Sequence, residues 1–134
     1  FRLWKGMNAD LGSLEIANLG FGGGTNASGI FYFPRVVAPL KPRTIVLYFG
    51  ENDISNDGLA SETAFADFLR LQQLIGTHLP GCRIFVLSAK QSPTKWLYED
   101  VVRDYNARLS AWCAKTDGVI FIDVTAALLG ETGR

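Results

Sequence analysis

The chain has 134 residues, 48% of them hydrophobic, and its 13 lysines and arginines balance 13 aspartates and glutamates. That is enough for one domain with a real core, and too apolar for a disordered or fibrous class. A net charge of zero, with no basic run interleaved with aromatics, leaves no electrostatic footprint for nucleic acid or an anionic membrane. The longest apolar runs fall short of a bilayer span, so the chain reads as soluble. Phe1 to Leu11 lacks the charged-then-apolar layout of a signal peptide, which favours the cytoplasm, although the first residue is not Met and a leader ahead of it stays open.

Taken in order, Leu3, Met7 and Leu11 recur four apart beside Trp4, which predicts a short helix over Phe1 to Leu11 ended near Gly12. Leu14 to Phe21, LEIANLGF, reads as a strand running into Gly22, Gly23, Gly24, Thr25 and Asn26. Gly20 and Gly22 begin a G-x-G-x-x-G pattern, but Thr25 holds its third position and Pro34 interrupts the helix that should follow. No Gly-Lys-Ser or Gly-Lys-Thr is present either. No nucleotide cofactor is therefore expected; what remains is a glycine turn whose backbone N–H groups suit an anion or oxyanion. Ile30 to Leu40 is expected to be a helix broken or restarted at Pro34.

Thr44 to Ile54, TIVLYFGENDI, is apolar at nearly every position until Gly50 and then delivers Glu51, Asn52 and Asp53. Such a run predicts a parallel strand covered on both faces. Ligands of open parallel sheets bind beyond the carboxyl ends of the strands, where Gly50 to Asp53 would sit. A plain strand-to-helix turn, with Asn52 and Asp53 bonding the backbone, accounts for the same residues.

Beyond the loop SNDGLA, a helix is expected to start near Ser61 as N-cap, with Glu62 in its first turn. Phe65, Phe68, Leu71, Ile75 and Leu79 give it a core stripe, and Pro80 and Gly81 stop it. His78, the only histidine, falls at its end, suited to the helix dipole rather than to catalysis. Arg83 to Ser88 is a strand that opens into AKQSPTKW, where Trp96 serves either as a staple for the next helix or as a pocket wall. That helix, about Leu97 to Lys115, carries Val101, Tyr105, Leu109 and Trp112 on one face. Val119 to Val124 is the last strand. Cys82 and Cys113 have no C-x-x-C spacing, so buried free thiols are expected and neither a metal nor a redox site. The alternation of helices and strands, with crossovers long enough for parallel pairing, predicts one three-layer α/β/α sandwich over residues 1–134.

With these motifs placed, the whole chain resembles the SGNH or GDSL hydrolases, a family of esterases, lipases and acyl hydrolases on a flavodoxin-like fold. NLGFGGGT, Asn18 to Thr25, is similar to the family block whose glycine donates an oxyanion-hole N–H, and the resemblance puts that role on Gly23. GEND, Gly50 to Asp53, is similar to the G-x-N-D block; Asn52 would add a side-chain N–H to the hole and Asp53 would brace the loop. SPTKW, Ser92 to Trp96, and YNARL, Tyr105 to Leu109, resemble a loop and helix of one subfamily. The implied partner is a small-molecule carboxylic ester, cleaved through an acyl-enzyme, with no cofactor; oligomeric state is left open.

The departures are specific. The family's nucleophile is a serine in a G-D-S block after the first strand, and FRLW, Phe1 to Trp4, resembles the residues immediately after that serine. The family's base is a histidine in a late D-x-x-H block. Neither block occurs in these 134 residues, His78 does not match the second, and Asp123 reads as a turn or cap residue. The resemblance therefore implies a domain without its first strand and last helix, inactive on its own. It also implies that the strands at Leu14 to Phe21 and Thr44 to Gly50 flank a third and do not pair, while Gly23 and Asn52 converge at one sheet end. The rival reading is a non-catalytic flavodoxin-like module that binds a ligand or partner in the same crevice.

Overall fold

The computed structural model describes residues 3–90 and 93–128, so Ser92 lies outside the described residues. In chain order it contains helix α1 (Met7–Asp10), α2 (Asn26–Tyr32), strand β1 (Thr44–Leu47), α3 (Glu51–Ser55), α4 (Ser61–His78), β2 (Arg83–Leu87), α5 (Glu99–Cys113), β3 (Val119–Ile122) and α6 (Thr125–Leu128). The strands form a parallel sheet in the order β1-β2-β3, with Ile45 opposite Ile84 and Ile84 opposite Val119. Helices α3 and α4 supply the first crossover and α5 the second, as parallel neighbours require. This is the expected α/β class.

Side chains alternate across a strand, so Ile45, Leu47, Ile84, Val86, Val119 and Phe121 share one face. Against it pack Phe68, Leu71 and Ile75 of α4 and Val102, Tyr105 and Leu109 of α5, all less than 5% exposed. The predicted stripes are thus the core, although Val102 is buried where Val101 is only partly so. On the opposite face Val46 is 53% exposed, and Ile120 and Ile122 are exposed too. Among the described residues β1 is covered on one face, where covering on both was expected, because the long helices all lie on the other side.

The expected strand at Leu14 to Phe21 is absent: the segment is irregular, and Leu14, Leu19 and Phe21 are exposed. A strand exists only through its ladder, and none joins this segment to β1. Of the predicted first helix, Phe1 and Arg2 lie outside the described residues, and the rest contains only the four residues of α1, which buries Met7 and ends before Gly12 at φ +65°. Helix α2 begins four residues earlier than expected because Thr25 caps it: the Ser28 N–H donates to Thr25 Oγ1 (3.2 Å) and the Thr25 N–H to Ser28 Oγ (2.7 Å). Pro34 then forces a wider π turn, Phe33–Val37, and a 3-10 turn, Ala38–Leu40.

Ser61 does not cap α4. Ala60 stands at the cap, and the Ser61 hydroxyl donates to Asp104 of α5. Arg108 completes that tie by bonding Asp104 at 2.8 Å and Glu62. His78 closes α4, its Nδ1 3.0 Å from the Leu74 carbonyl oxygen. Both cysteines are free; Cys113 is buried, which pushes its thiol up to about 11, and Cys82 is half-buried. Among the described residues no helix is long and apolar enough to cross a membrane.

Candidate active site

The carboxyl end of β1 leads through Tyr48 and Phe49 to Gly50, whose φ of +107° turns the chain into α3. Only glycine fits here. A Cβ would lie 2.7 Å from Tyr105 Cζ and closer still to Cε1, in a backbone region that side chains rarely adopt. The fully buried Tyr105 ring thus forms the floor of the turn.

Asp53, wholly buried, holds this turn to the glycine turn that precedes α2. Its Oδ2 accepts the Gly50 N–H at 3.0 Å, and its Oδ1 accepts both the Asn26 N–H at 2.9 Å and the Asn26 side-chain amide at 3.2 Å. Burial raises the Asp53 carboxyl above its ordinary range, and the Asn26 and Gly50 donors pull in the opposite direction. Asn26 also donates from Nδ2 to the Tyr105 hydroxyl at 3.1 Å, while burial pushes that phenol up. Two loops 27 residues apart are thereby fixed on one buried carboxylate. Asp53 bracing its loop was legible as an expectation; its partner Asn26 was not.

Asn52 stands beside this brace, half-buried, and its Nδ2 donates to the Gly24 carbonyl oxygen at 3.0 Å. Gly23, one residue earlier, has φ +73° and open space where a side chain would project. Asn52 therefore bonds the residue next to Gly23, across 28 residues of sequence. An amide nitrogen carries two hydrogens, so the bond to Gly24 leaves Asn52 a second one to donate.

Three further residues shape the site without having been singled out from sequence. Lys95, from the 3-10 segment Pro93–Tyr98, lies 3.2 Å from Glu51 Oε1 and donates to Asn52 Oδ1 at 3.3 Å. Tyr48 donates from its hydroxyl to Glu51 Oε2 at 2.6 Å, and burial followed by the Glu51 carboxylate pushes its phenol up. Asn106 clamps the loop after β2 by accepting the Ala89 N–H at 2.8 Å and donating to the Ala89 carbonyl at 2.9 Å. A lysine or asparagine in isolation carries no signal for such roles, since each depends on a contact that only the fold creates.

Ser88 and Asp123 meet at the ends of β2 and β3. The buried Ser88 hydroxyl donates to Asp123 Oδ1 (3.1 Å) and accepts the Val124 N–H (2.9 Å). Asp123 Oδ1 also accepts the N–H (2.9 Å) and hydroxyl (2.5 Å) of Thr125, which lowers its pKa. Asp123 thus bonds the backbone of the turn that leads into α6, in keeping with the expected turn or cap residue. No cluster of three metal-ligating side chains occurs among the described residues.

A family model described as GDSL-like Lipase/Acylhydrolase family matches residues 2–134. No curated protein sequence matches the chain. Among solved structures, it superposes on a protein from Streptococcus pneumonia, provisionally described as a platelet activating factor. That pair has a TM-score of 0.78 and 18% identity over 99% of this chain and 65% of that one. A Bacteroides fragilis protein provisionally described as an acylhydrolase gives a TM-score of 0.70 and 20% identity, over 84% of this chain and 56% of that one. The chain thus spans about two-thirds or less of these structures' length, and at such identities the likeness is one of fold.

Proposed function

The chain belongs to the GDSL-like lipase/acylhydrolase family, and from that premise we propose that it carries the oxyanion-hole half of an active site that cleaves carboxylic esters through an acyl-enzyme. In this reading the Gly23 N–H and the Asn52 side-chain amide donate to the oxygen on which charge develops as the carbonyl is attacked. Asp53 binds no substrate; it holds the two donor loops in register. The observation that carries the reading is the 3.0 Å bond from Asn52 Nδ2 to Gly24, which draws the G-x-N-D loop and the glycine turn to one point. Donors fixed in advance stabilise the transition state without reorganising, and each is worth about 2.7–4 kcal/mol in acyl transfer.

Acyl transfer also needs an activated nucleophile and a base within hydrogen-bond reach. No G-D-S and no D-x-x-H block stands in the 134 residues, so by this reading these residues alone do not turn over an ester. A panel of p-nitrophenyl esters of increasing acyl length, tested on the full gene product, checks the proposal. Hydrolysis of the shorter esters is expected. Stoichiometric binding of an acyl ligand with no hydrolysis of any ester would favour a ligand-binding module instead.

A further inference from the structure

Resting on the oxyanion-hole reading, we propose that Lys95 is a positioning residue that, with the Gly24 carbonyl on the opposite side, fixes which way the Asn52 amide points. An asparagine amide can rotate by half a turn, exchanging its oxygen and nitrogen. In one orientation it offers N–H to the hole, and in the other it offers a carbonyl oxygen that repels an oxyanion. Something must decide between them.

Among the described residues three partners touch the Asn52 amide: the Gly24 carbonyl, the Asn56 amide and the Lys95 ammonium. Asn56 donates to Asn52 Oδ1 at 3.0 Å, but it is exposed and its own amide can turn to accept instead. Two partners have no such freedom: the Gly24 carbonyl only accepts, which holds the amide nitrogen on its side, and the Lys95 ammonium only donates, which holds the oxygen on its own. Lys95 Nζ, 3.3 Å from Asn52 Oδ1, tolerates the oxygen there and rejects the NH2 group. The ammonium also polarises the amide it bonds, which strengthens the remaining N–H as a donor.

Lys95 is itself held from behind. Glu51 Oε1 lies 3.2 Å from Nζ, and Glu51 Oε2 accepts from the Tyr48 hydroxyl at 2.6 Å. The side chains of Lys95 and Glu51 are 27% and 13% exposed, so solvent competes only weakly for this pair. The chain Tyr48, Glu51, Lys95, Asn52 thus runs from the end of β1 to the donor of the hole, with the loop after β2 supplying its one cation.

The test is a double-mutant cycle in the full gene product, with kcat and KM measured on a p-nitrophenyl ester. Lys95→Met is expected to lower kcat roughly tenfold with KM nearly unchanged, and Lys95→Arg to restore most of it. In an Asn52→Ala background, Lys95→Met is expected to change kcat less than twofold, because the amide it orients is gone. An equal loss in both backgrounds would overturn the proposal, since Lys95 would then act by itself or through the fold. If Asn52→Ala lowers kcat while Lys95→Met does not, the proposal falls and the hole stands. If Asn52→Ala has no effect, or the gene product cleaves no ester, the hole reading falls with it. Should Lys95→Met fail to fold, Glu51→Gln, which frees the ammonium, reads the same coupling, and its equal loss in both backgrounds is again contrary.

Discussion

Asp53 Oδ1 accepts the backbone N–H of Asn26 at 2.9 Å, inside the protein, across 27 residues of sequence. With Oδ2 taking the Gly50 N–H at 3.0 Å, one carboxylate satisfies two backbone donors from two loops. Asp53→Ala strands both backbone donors where water does not reach them, while the Asn26 amide keeps the Tyr105 hydroxyl. Each such loss costs about 1–3 kcal/mol, so urea unfolding should show a stability loss of about 2–5 kcal/mol. A loss under about 1 kcal/mol would mean the loops are held by something else.

Gly50→Ala should be among the worst glycine substitutions in the chain. It combines a positive φ with a Cβ driven into the Tyr105 ring, for a combined cost of about 2–5 kcal/mol. Gly81→Ala is the control: φ is +79° but nothing lies within 4 Å of its Cβ, so strain alone, about 1–2 kcal/mol, is expected. Equal melting temperatures for the two variants would remove Tyr105 from the explanation.

Asp123 sets a pH dependence. Its folded pKa lies below the ordinary 3.8, first through Thr125 and then Ser88. Its carboxylate therefore contributes stability in full above about pH 4, and the contribution fades as pH falls through the lowered folded pKa. Asp123→Asn keeps a neutral cap but loses that charge. The gap in melting temperature between wild type and Asp123→Asn should be widest near pH 6 and close toward pH 2; a gap that widens in acid would reverse the assignment.

Ser88 stands at the carboxyl end of β2, yet its hydroxyl is buried and bonded to Asp123 and the Val124 N–H. Expressed alone, the 134 residues should hydrolyse p-nitrophenyl acetate no faster than buffer. Turnover that disappears in Ser88→Ala would make Ser88 the nucleophile and defeat this account.

What the sequence made legible was what local pattern determines. The stripes of α4 and α5 and the apolar runs of β1, β2 and β3 each repeat over enough residues to declare a face. Leu14 to Phe21 has the composition of a strand but no ladder, and composition does not supply a neighbour. The start of α2 turned on Thr25, read as a failed third glycine when it is a cap. At the site, Asn52 and Asp53 were legible because they follow a strand in a recognisable block. Asn26, Lys95 and Asn106 were not, since each matters only through a partner between 17 and 43 residues away.

The central claim, that Asn52 donates to a developing oxyanion, is tested most directly by Asn52→Ala in the full gene product, with kcat and KM measured on its best p-nitrophenyl ester. The account predicts a fall in kcat of roughly a hundred- to a thousandfold, with KM little changed, because the lost bond is made mainly in the transition state. A folded variant with wild-type kcat would reduce Asn52 to a turn residue and contradict the account.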